Sequence, residues 1–143
     1  MSKEEPSEDR VNNLVVEIRV LESTYNELTS RQNLLERALV ENRAALDAIK
    51  GLGDKKVSEV LTQVGGGAML RSSPPDADRV LVSVGADVVL EKSREEALAM
   101  IEERTKEVER SIVSIVGQRD EIRQRLESDQ EVLNSLVSSA QKG

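Results

Sequence analysis

Apolar residues recur at alternating steps of three and four along two long stretches of this chain. In the first stretch the recurring positions are Val11, Leu14, Ile18, Leu21, Tyr25, Leu28, Gln32, Leu35, Leu39, Asn42, Leu46 and Ile49. In the second they are Leu98, Ile101, Thr105, Val108, Ile112, Ile115, Arg119, Ile122, Leu126, Asp129, Leu133, Leu136 and Ala140. A narrow stripe kept over this many heptads is typical of a coiled coil. The pattern therefore predicts two coiled-coil helices, over residues 11–50 and 94–140.

The predicted helix ends carry recognisable capping residues. Gly51 is suited to a C-terminal cap of the first helix, and Ser93 with Glu96 forms a possible capping box at the start of the second. Residues 1–10 are predicted to be a disordered acidic tail, and residues 141–143 a C-terminal tail.

Antiparallel pairing of the two helices within the chain has one favoured register, although a shift by one layer stays open. It places Ile49 beside Leu98 and sets Asn42 opposite Thr105, so that one polar layer meets another. Arg119 interrupts the apolar stripe, and its stem is expected to pack while its charged head reaches solvent.

The pattern between the helices, over residues 51–93, changes to short β-forming runs. Strands are predicted at 58–64, 67–72, 79–84 and 87–92, in two hairpins separated by Pro74 and Pro75. Gly85 and Ala86 are expected to form a type II′ turn between the last two strands.

Both hairpins carry more apolar surface than an isolated two-stranded ribbon tolerates in water. The strands are therefore expected to join those of other chains in a shared sheet or barrel. The predicted assembly residues are Val60, Val64, Leu70, Val80, Val82, Val84, Val88 and Leu90. The predicted fold is α+β and mainly α: a long antiparallel two-helix coiled coil with two inserted β-hairpins that form an oligomeric β-barrel.

Composition narrows the function. The chain has 143 residues, no Cys, no His and a net charge of −7. These absences remove thiol and imidazole chemistry and the usual zinc ligands, and the negative charge disfavours nucleic-acid binding. The triple glycine at 65–67 lacks the Lys-Ser/Thr of a phosphate loop. We expect no catalytic residues, no metal and no cofactor, and a cytoplasmic protein that binds neither nucleic acid nor membrane.

The order helix, two hairpins, helix, together with "VLVSVGADVVLEKS" at 80–93, resembles the alpha-type subunit of archaeal prefoldin. The resemblance covers roughly residues 9–140, and two hairpins distinguish the alpha type from the beta type. It implies an ATP-independent chaperone built from two alpha-type and four beta-type subunits. It further implies that the coiled coils hold unfolded polypeptides between their tips and deliver them to a group II chaperonin.

The ends of the two predicted helices carry apolar residues beyond the coiled-coil stripe. In the heptad that starts at Val11, Val16 falls at an outward position. The predicted client-binding residues, termed the tip cluster, are Val11, Leu14, Val15, Val16, Val132, Leu133, Leu136 and Val137. The apolar residues beside the stripe have an alternative role, which is to broaden the local packing stripe; they are Val15, Val16, Val20, Val132 and Val137.

Two other functions compete with the chaperone hypothesis. A structural coiled-coil adaptor would use the hairpins to oligomerise and the helices to bind one defined folded partner. A carboxylate-based enzyme is disfavoured, because a two-helix coiled coil offers no concave pocket of the usual size.

Overall fold

Along the sequence, one long helix is followed by four short strands and then by a second long helix. The computed structural model describes residues 5–54 and 56–142. The elements are α1 (Glu5–Asp54), β1 (Val60–Gly65), β2 (Ala68–Ser72), β3 (Arg79–Gly85), β4 (Val88–Ser93) and α2 (Arg94–Lys142). The predicted order of helices and hairpins is therefore confirmed.

The helices are longer than their apolar stripes. α1 begins at Glu5, inside the segment that was expected to be a disordered tail, and it runs through Gly51 to Asp54. α2 continues to Lys142, into the expected C-terminal tail. Residues 1–4 and 143, which also belong to the predicted tails, lie outside the described residues.

The start of α2 is fixed by the predicted cap. The Ser93 hydroxyl accepts a hydrogen bond from the Glu96 N–H at 3.2 Å, which satisfies one of the free donors of the first turn. The Arg94 N–H donates to the Asp78 carbonyl at 3.0 Å and so ties this helix start to the residue before β3.

The chain divides into two compact units. One contains the residues up to Glu36 and those from Arg110 onward, and the other is Arg37–Glu109. The first unit therefore holds the N-terminal part of α1 with the C-terminal part of α2. The second holds the remaining parts of both helices and all four strands.

The helices are antiparallel within the second unit. Arg43 of α1 forms a salt bridge with Glu109 of α2 at 3.2 Å, and Lys50 forms one with Glu102 at 3.5 Å. As the α1 residue number rises by seven, the α2 residue number falls by seven. These bonds are exposed and each contributes less than about 1 kcal/mol, so the helix pair is held mainly by its apolar stripe.

Few side chains of the described residues are buried; three of the apolar ones lie on the predicted stripes, whereas Ala97 and Val82 lie off them. Ile18 and Leu28 are buried in the first unit, and Leu46 in the second. Thr105 is also buried, and its hydroxyl donates to the Ile101 carbonyl at 2.7 Å within its own helix. Its polar group is thus satisfied by α2 itself.

Each hairpin is a separate two-stranded antiparallel sheet with a bulge before its turn. The prediction of a type II′ turn at Gly85–Ala86 is wrong. The turn residues are Ala86 and Asp87, both with positive φ (50° and 59°), while Gly85 lies in the bulge. Positive φ at two central positions is the type I′ arrangement, whose twist matches that of the flanking strands.

Candidate assembly and tip surfaces

Hairpin 2, formed by β3 and β4, is anchored to α2 through one strand. Arg104 of α2 donates to the Ser83 carbonyl at 2.6 Å. The neighbouring Val82 is only 5% exposed. Val82 pairs with Leu90 across the hairpin, and side chains alternate along a strand. One face of hairpin 2 is therefore covered at Val82 by the chain itself.

The predicted assembly residues thus differ in their surroundings. Val82 is buried within the chain, and Val60 and Val80 are half-buried. The exposed ones are Val64, Leu70, Val84, Val88 and Leu90. Assembly through this set stays a prediction, with the correction that Val82 is already packed in a single chain and is not available to a partner.

The opposite faces of the hairpins carry exposed apolar residues that the sequence prediction left out. We term them the outer faces: Leu61, Gln63, Met69 and Arg71 in hairpin 1, formed by β1 and β2, and Leu81, Ser83, Val89 and Glu91 in hairpin 2. Leu81 is 71% exposed, the most of the large apolar strand residues, and Leu61 is 56% exposed. An apolar surface of this kind on short strands with open edges is a typical association site.

The first unit contains a polar layer inside the helix pair. The Arg119 guanidinium donates to the Gln32 side-chain carbonyl at 2.6 Å and to the Tyr25 hydroxyl at 2.9 Å. Its central carbon lies 4.7 Å from the centre of the Tyr25 ring. The expectation that the Arg119 head reaches solvent is therefore wrong, because the single aromatic residue of the chain and a seam amide hold it between the helices.

Arg119 also reports the register of the two helices. Tyr25 and Gln32 flank Leu28, so a side chain that contacts both of them lies at the level of Leu28. The favoured register, with Ile49 beside Leu98, assigns Arg119 to that same level. A layer of this kind disfavours slipped pairings, since a shift by one heptad would leave the guanidinium without its acceptors.

Arg119 is expected to cost stability while it specifies the register. Its Nε is buried without a partner, so Arg119→Leu should raise the free energy of unfolding by about 1 kcal/mol. Tyr25→Phe alone should lower it by about 1 kcal/mol, but should have no effect once Arg119 is Leu. A double-mutant cycle on thermal or urea unfolding measures this coupling; strictly additive effects would argue against the layer.

The tip cluster lies in the first unit, where α1 begins and α2 ends. Val16 is 59% exposed and Val137 43% exposed. The other six residues of the cluster are half-buried. None of the eight is buried, so the structure does not use the cluster as a core. The structure brings Val11 together with Leu136 and Val137, and Leu14 together with Val132.

Two open grooves flank the cluster, and they differ in polarity. One is lined by Val11, Leu136, Val137 and Ala140, with Glu8, Asn12 and Gln141 at its rim. The other is lined by Leu14 and Val132, with Asp9, Arg10, Asn13, Glu17 and Asp129. The cluster therefore presents an apolar strip with charged groups on one side.

Exposed apolar residues also occur elsewhere on the helices. Leu34 is 63% exposed and Val113 72% exposed, both in the first unit. Exposure alone therefore does not distinguish the tip cluster. What distinguishes it is that several apolar residues from both helices line one groove, which an isolated exposed valine cannot offer.

Features of other functions are missing from the described part of the chain. Among the side chains that the structure describes, those of residues 8–53 and 56–141, no three acidic groups lie together so as to hold a metal ion. Over the same residues neither helix has a stretch apolar enough to cross a bilayer.

Comparison with known proteins gives one consistent result. The family model described as "Prefoldin subunit" matches residues 21–138. Prefoldin subunit alpha of Nitrosopumilus maritimus is 27% identical over 136 residues, which cover 95% of this chain and 94% of the relative. Prefoldin subunit alpha of Methanoculleus marisnigri is 33% identical over 126 residues, covering 78% of this chain and 85% of the relative.

A solved structure has the same fold. A chain from the cryo-EM structure of filamentous PFD of Methanocaldococcus jannaschii superposes with a TM-score of 0.65 at 25% sequence identity. The match covers 78% of this chain and 93% of that chain.

Proposed function

This chain belongs to the prefoldin family as an archaeal alpha-type chaperone subunit, and from that premise we propose that its tip cluster captures unfolded polypeptides without ATP. Members of this family assemble with other prefoldin subunits. We propose that here the partners are beta-type subunits in an assembly of two alpha-type and four beta-type chains. Delivery of clients to a group II chaperonin in the cytoplasm, without any enzymatic step by this chain, belongs to the same proposal.

The observation that supports client capture is the groove at the tip cluster that apolar residues of both helices line, Val11 from α1 and Leu136 and Val137 from α2. An unfolded client exposes apolar segments of no fixed sequence, and a small aliphatic groove with adaptable walls suits such a ligand. Burying one exposed valine contributes about 1.5 kcal/mol, part of which is offset by the ordering of client and helix ends. One cluster therefore binds weakly, which allows release.

Useful affinity then requires several clusters on one assembly. A client held by the tip cluster of one subunit meets the tip cluster of the next subunit at a high effective concentration. Several weak sites therefore combine into tight but reversible binding. This is why the hairpins matter to the function: they bring copies of the cluster together. The charged groups of the second groove keep the exposed strip soluble between binding events.

Serine substitution of the two exposed cluster residues tests client capture. Val16→Ser together with Val137→Ser should raise the dissociation constant of each tip cluster for a client about tenfold, because two valine contacts are lost. The readout is the delay of aggregation of several unrelated denatured proteins by the assembled chaperone without ATP. The matched control is Val113→Ser, a more exposed valine of the same unit outside the cluster.

The control and the assembly state decide the interpretation. We expect the Val113→Ser variant to suppress aggregation as well as the unsubstituted chain does. All variants should form an assembly of the same mass as the unsubstituted chain forms. Equal suppression by the tip variant and the control would refute tip binding. Activity toward one folded partner only, with no effect on denatured clients, would favour the adaptor alternative.

A further inference from the structure

The first unit contains a further open groove, and carboxylates dominate the charge of its lining. The lining residues are Glu22 of α1 and, on α2, Arg123, Leu126, Glu127, Gln130 and Glu131. We term this the acidic groove. The apolar groove is the one at the tip cluster that is lined by Val11, Leu136, Val137 and Ala140.

Both grooves open on the same side of the helix pair. Residues seven positions apart on a coiled-coil helix face the same side. On α2, Val137 lines the apolar groove, while Gln130 and Arg123, at successive steps of seven, line the acidic groove. On α1, Glu8 at the rim of the apolar groove lies two such steps from Glu22 in the acidic groove. One ligand can therefore reach both grooves without crossing the helix pair.

The carboxylates of the acidic groove are available to a ligand. Glu22, Glu127 and Glu131 are exposed, and none of them forms a hydrogen bond or an ion pair with another residue that the structure describes. The Arg123 guanidinium lies 3.6 Å from Asp120, which is not part of the lining. The arginine of the groove therefore has its own carboxylate outside the groove and leaves the three glutamates without a counter-charge.

The second groove beside the tip cluster has less acid available. Glu17 in that groove is already paired with Arg125. One carboxylate oxygen of Asp129 is buried, and Arg10 lies in the same lining as Asp9. A preference for a cationic ligand is therefore expected on the side of the helix pair where the apolar groove opens.

The distance between the grooves sets the spacing of groups on a ligand that fills both. Val137 and Glu131 are six residues apart on α2, and Val137 and Glu127 are ten apart. At about 1.5 Å per helical residue, these separations are about 9 Å and about 15 Å along the axis. An extended chain covers about 3.3 Å per residue, so about three to five of its residues span the gap.

We propose that the tip cluster prefers unfolded segments in which a lysine or arginine stands about three to five residues from an apolar run. The apolar groove takes the run, and the carboxylates of the acidic groove take the cationic head. This inference rests on the proposed capture of clients by the tip cluster and names the class of client that is preferred. Only an extended segment keeps the required spacing, and an unfolded client provides it.

The apolar contacts supply most of the attraction, and the carboxylates supply the preference. An ion pair between exposed groups contributes little, so a basic residue changes the affinity by a small factor. A client with acidic residues at the same spacing meets repulsion instead, which widens the difference between the two kinds of client. The negative field of the groove also raises the local concentration of cationic segments.

Peptides that differ in a single pair of residues test the preference. Each has a short apolar run, a Gly-Ser spacer of about four residues, and then a pair of lysines, glutamines or glutamates. Chemical-shift titration of the full chain at low salt measures their dissociation constants and shows which amides respond. The lysine peptide should bind about fivefold more tightly than the glutamine peptide, and the glutamate peptide should bind most weakly. Raised salt should shrink these differences.

Charge reversal in the acidic groove gives the most informative variant. Glu127→Lys with Glu131→Lys should reverse the order, so that the glutamate peptide binds more tightly than the lysine peptide. The matched control is Glu27→Lys with Glu121→Lys, which changes the net charge equally at exposed carboxylates of the same unit that line neither groove. This control should keep the order of the unsubstituted chain. A gain of affinity for the glutamate peptide also excludes misfolding as the cause of the change.

Equal binding of the lysine, glutamine and glutamate peptides would overturn the inference, as would a control that reverses their order as the acidic-groove variant does. Val16→Ser with Val137→Ser separates this failure from a failure of client capture. If the peptides bind equally but the serine variant binds all of them more weakly, the charge preference is wrong and capture by the tip cluster stands. If no peptide binds the unsubstituted chain, or if the serine variant binds them all as tightly, capture by the tip cluster is wrong as well.

Discussion

A chain that carries Val82→Asp is expected to lose the packing around Val82 in hairpin 2, with the free energy of unfolding lowered by about 3 kcal/mol. Val82 is 5% exposed, so its replacement puts a carboxylate into an apolar contact. Hydrogen exchange of the backbone amides at 79–93 measures the local effect, and urea unfolding measures the global one.

The neighbouring residue provides the control for this prediction. Leu81 lies on the same strand but faces away, with 71% of its surface exposed. Leu81→Asp should therefore leave the unfolding of the isolated chain within about 0.5 kcal/mol of its original value. Equal losses of stability from the two substitutions would mean that the two faces of hairpin 2 do not differ in burial.

The same Leu81→Asp chain is expected to associate about tenfold to a hundredfold more weakly. A leucine buried between chains contributes about 1.5–3 kcal/mol, and a carboxylate in its place adds a desolvation cost. The mass of the chain over a concentration series measures this effect. Val113→Asp is the matched control, since Val113 is 72% exposed but lies on α2 outside the hairpins.

The two substitutions together separate folding from assembly. Val82→Asp should impair both, because a hairpin whose covered face is disrupted no longer presents its outer face in a fixed position. Leu81→Asp should impair assembly alone. If Leu81→Asp changes the dissociation constant no more than Val113→Asp does, the outer face is not part of the interface.

The periodicity of the sequence predicted the helical part of the fold well, for a physical reason. A stripe of apolar residues at steps of three and four is narrow enough to be buried by a single partner helix. Ile18, Leu28 and Leu46 are buried as that argument requires. Helix ends were predicted less well. α1 runs through Gly51 because a glycine costs a helix only about 1 kcal/mol, which neighbouring contacts can offset.

The errors at individual residues arise from partners distant in the sequence. Nothing near Arg119 in the chain indicates that Tyr25, 94 positions away, accepts its charged head. The turn at Ala86–Asp87 was misplaced because a bulge shifts the pairing by one residue. Strand alternation separated the two faces of hairpin 2, but it gave no sign of which face is covered at Val82.

The outer faces could have been found from the sequence by a different comparison. An alignment of the hairpins against each other aligns Leu61 with Leu81, and so exposes the shared apolar face. Each hairpin read alone appears as an ordinary β-forming run with a solvated ion pair.

The central claim is that the hairpins carry too much apolar surface to remain without partners, and the mass of the full chain in solution tests it most directly. Light scattering over a concentration series, with the chain alone and then mixed with a beta-type subunit, should give masses well above the 15.8 kDa of one chain. A mass of 15.8 kDa at every concentration, in both samples, would contradict the claim.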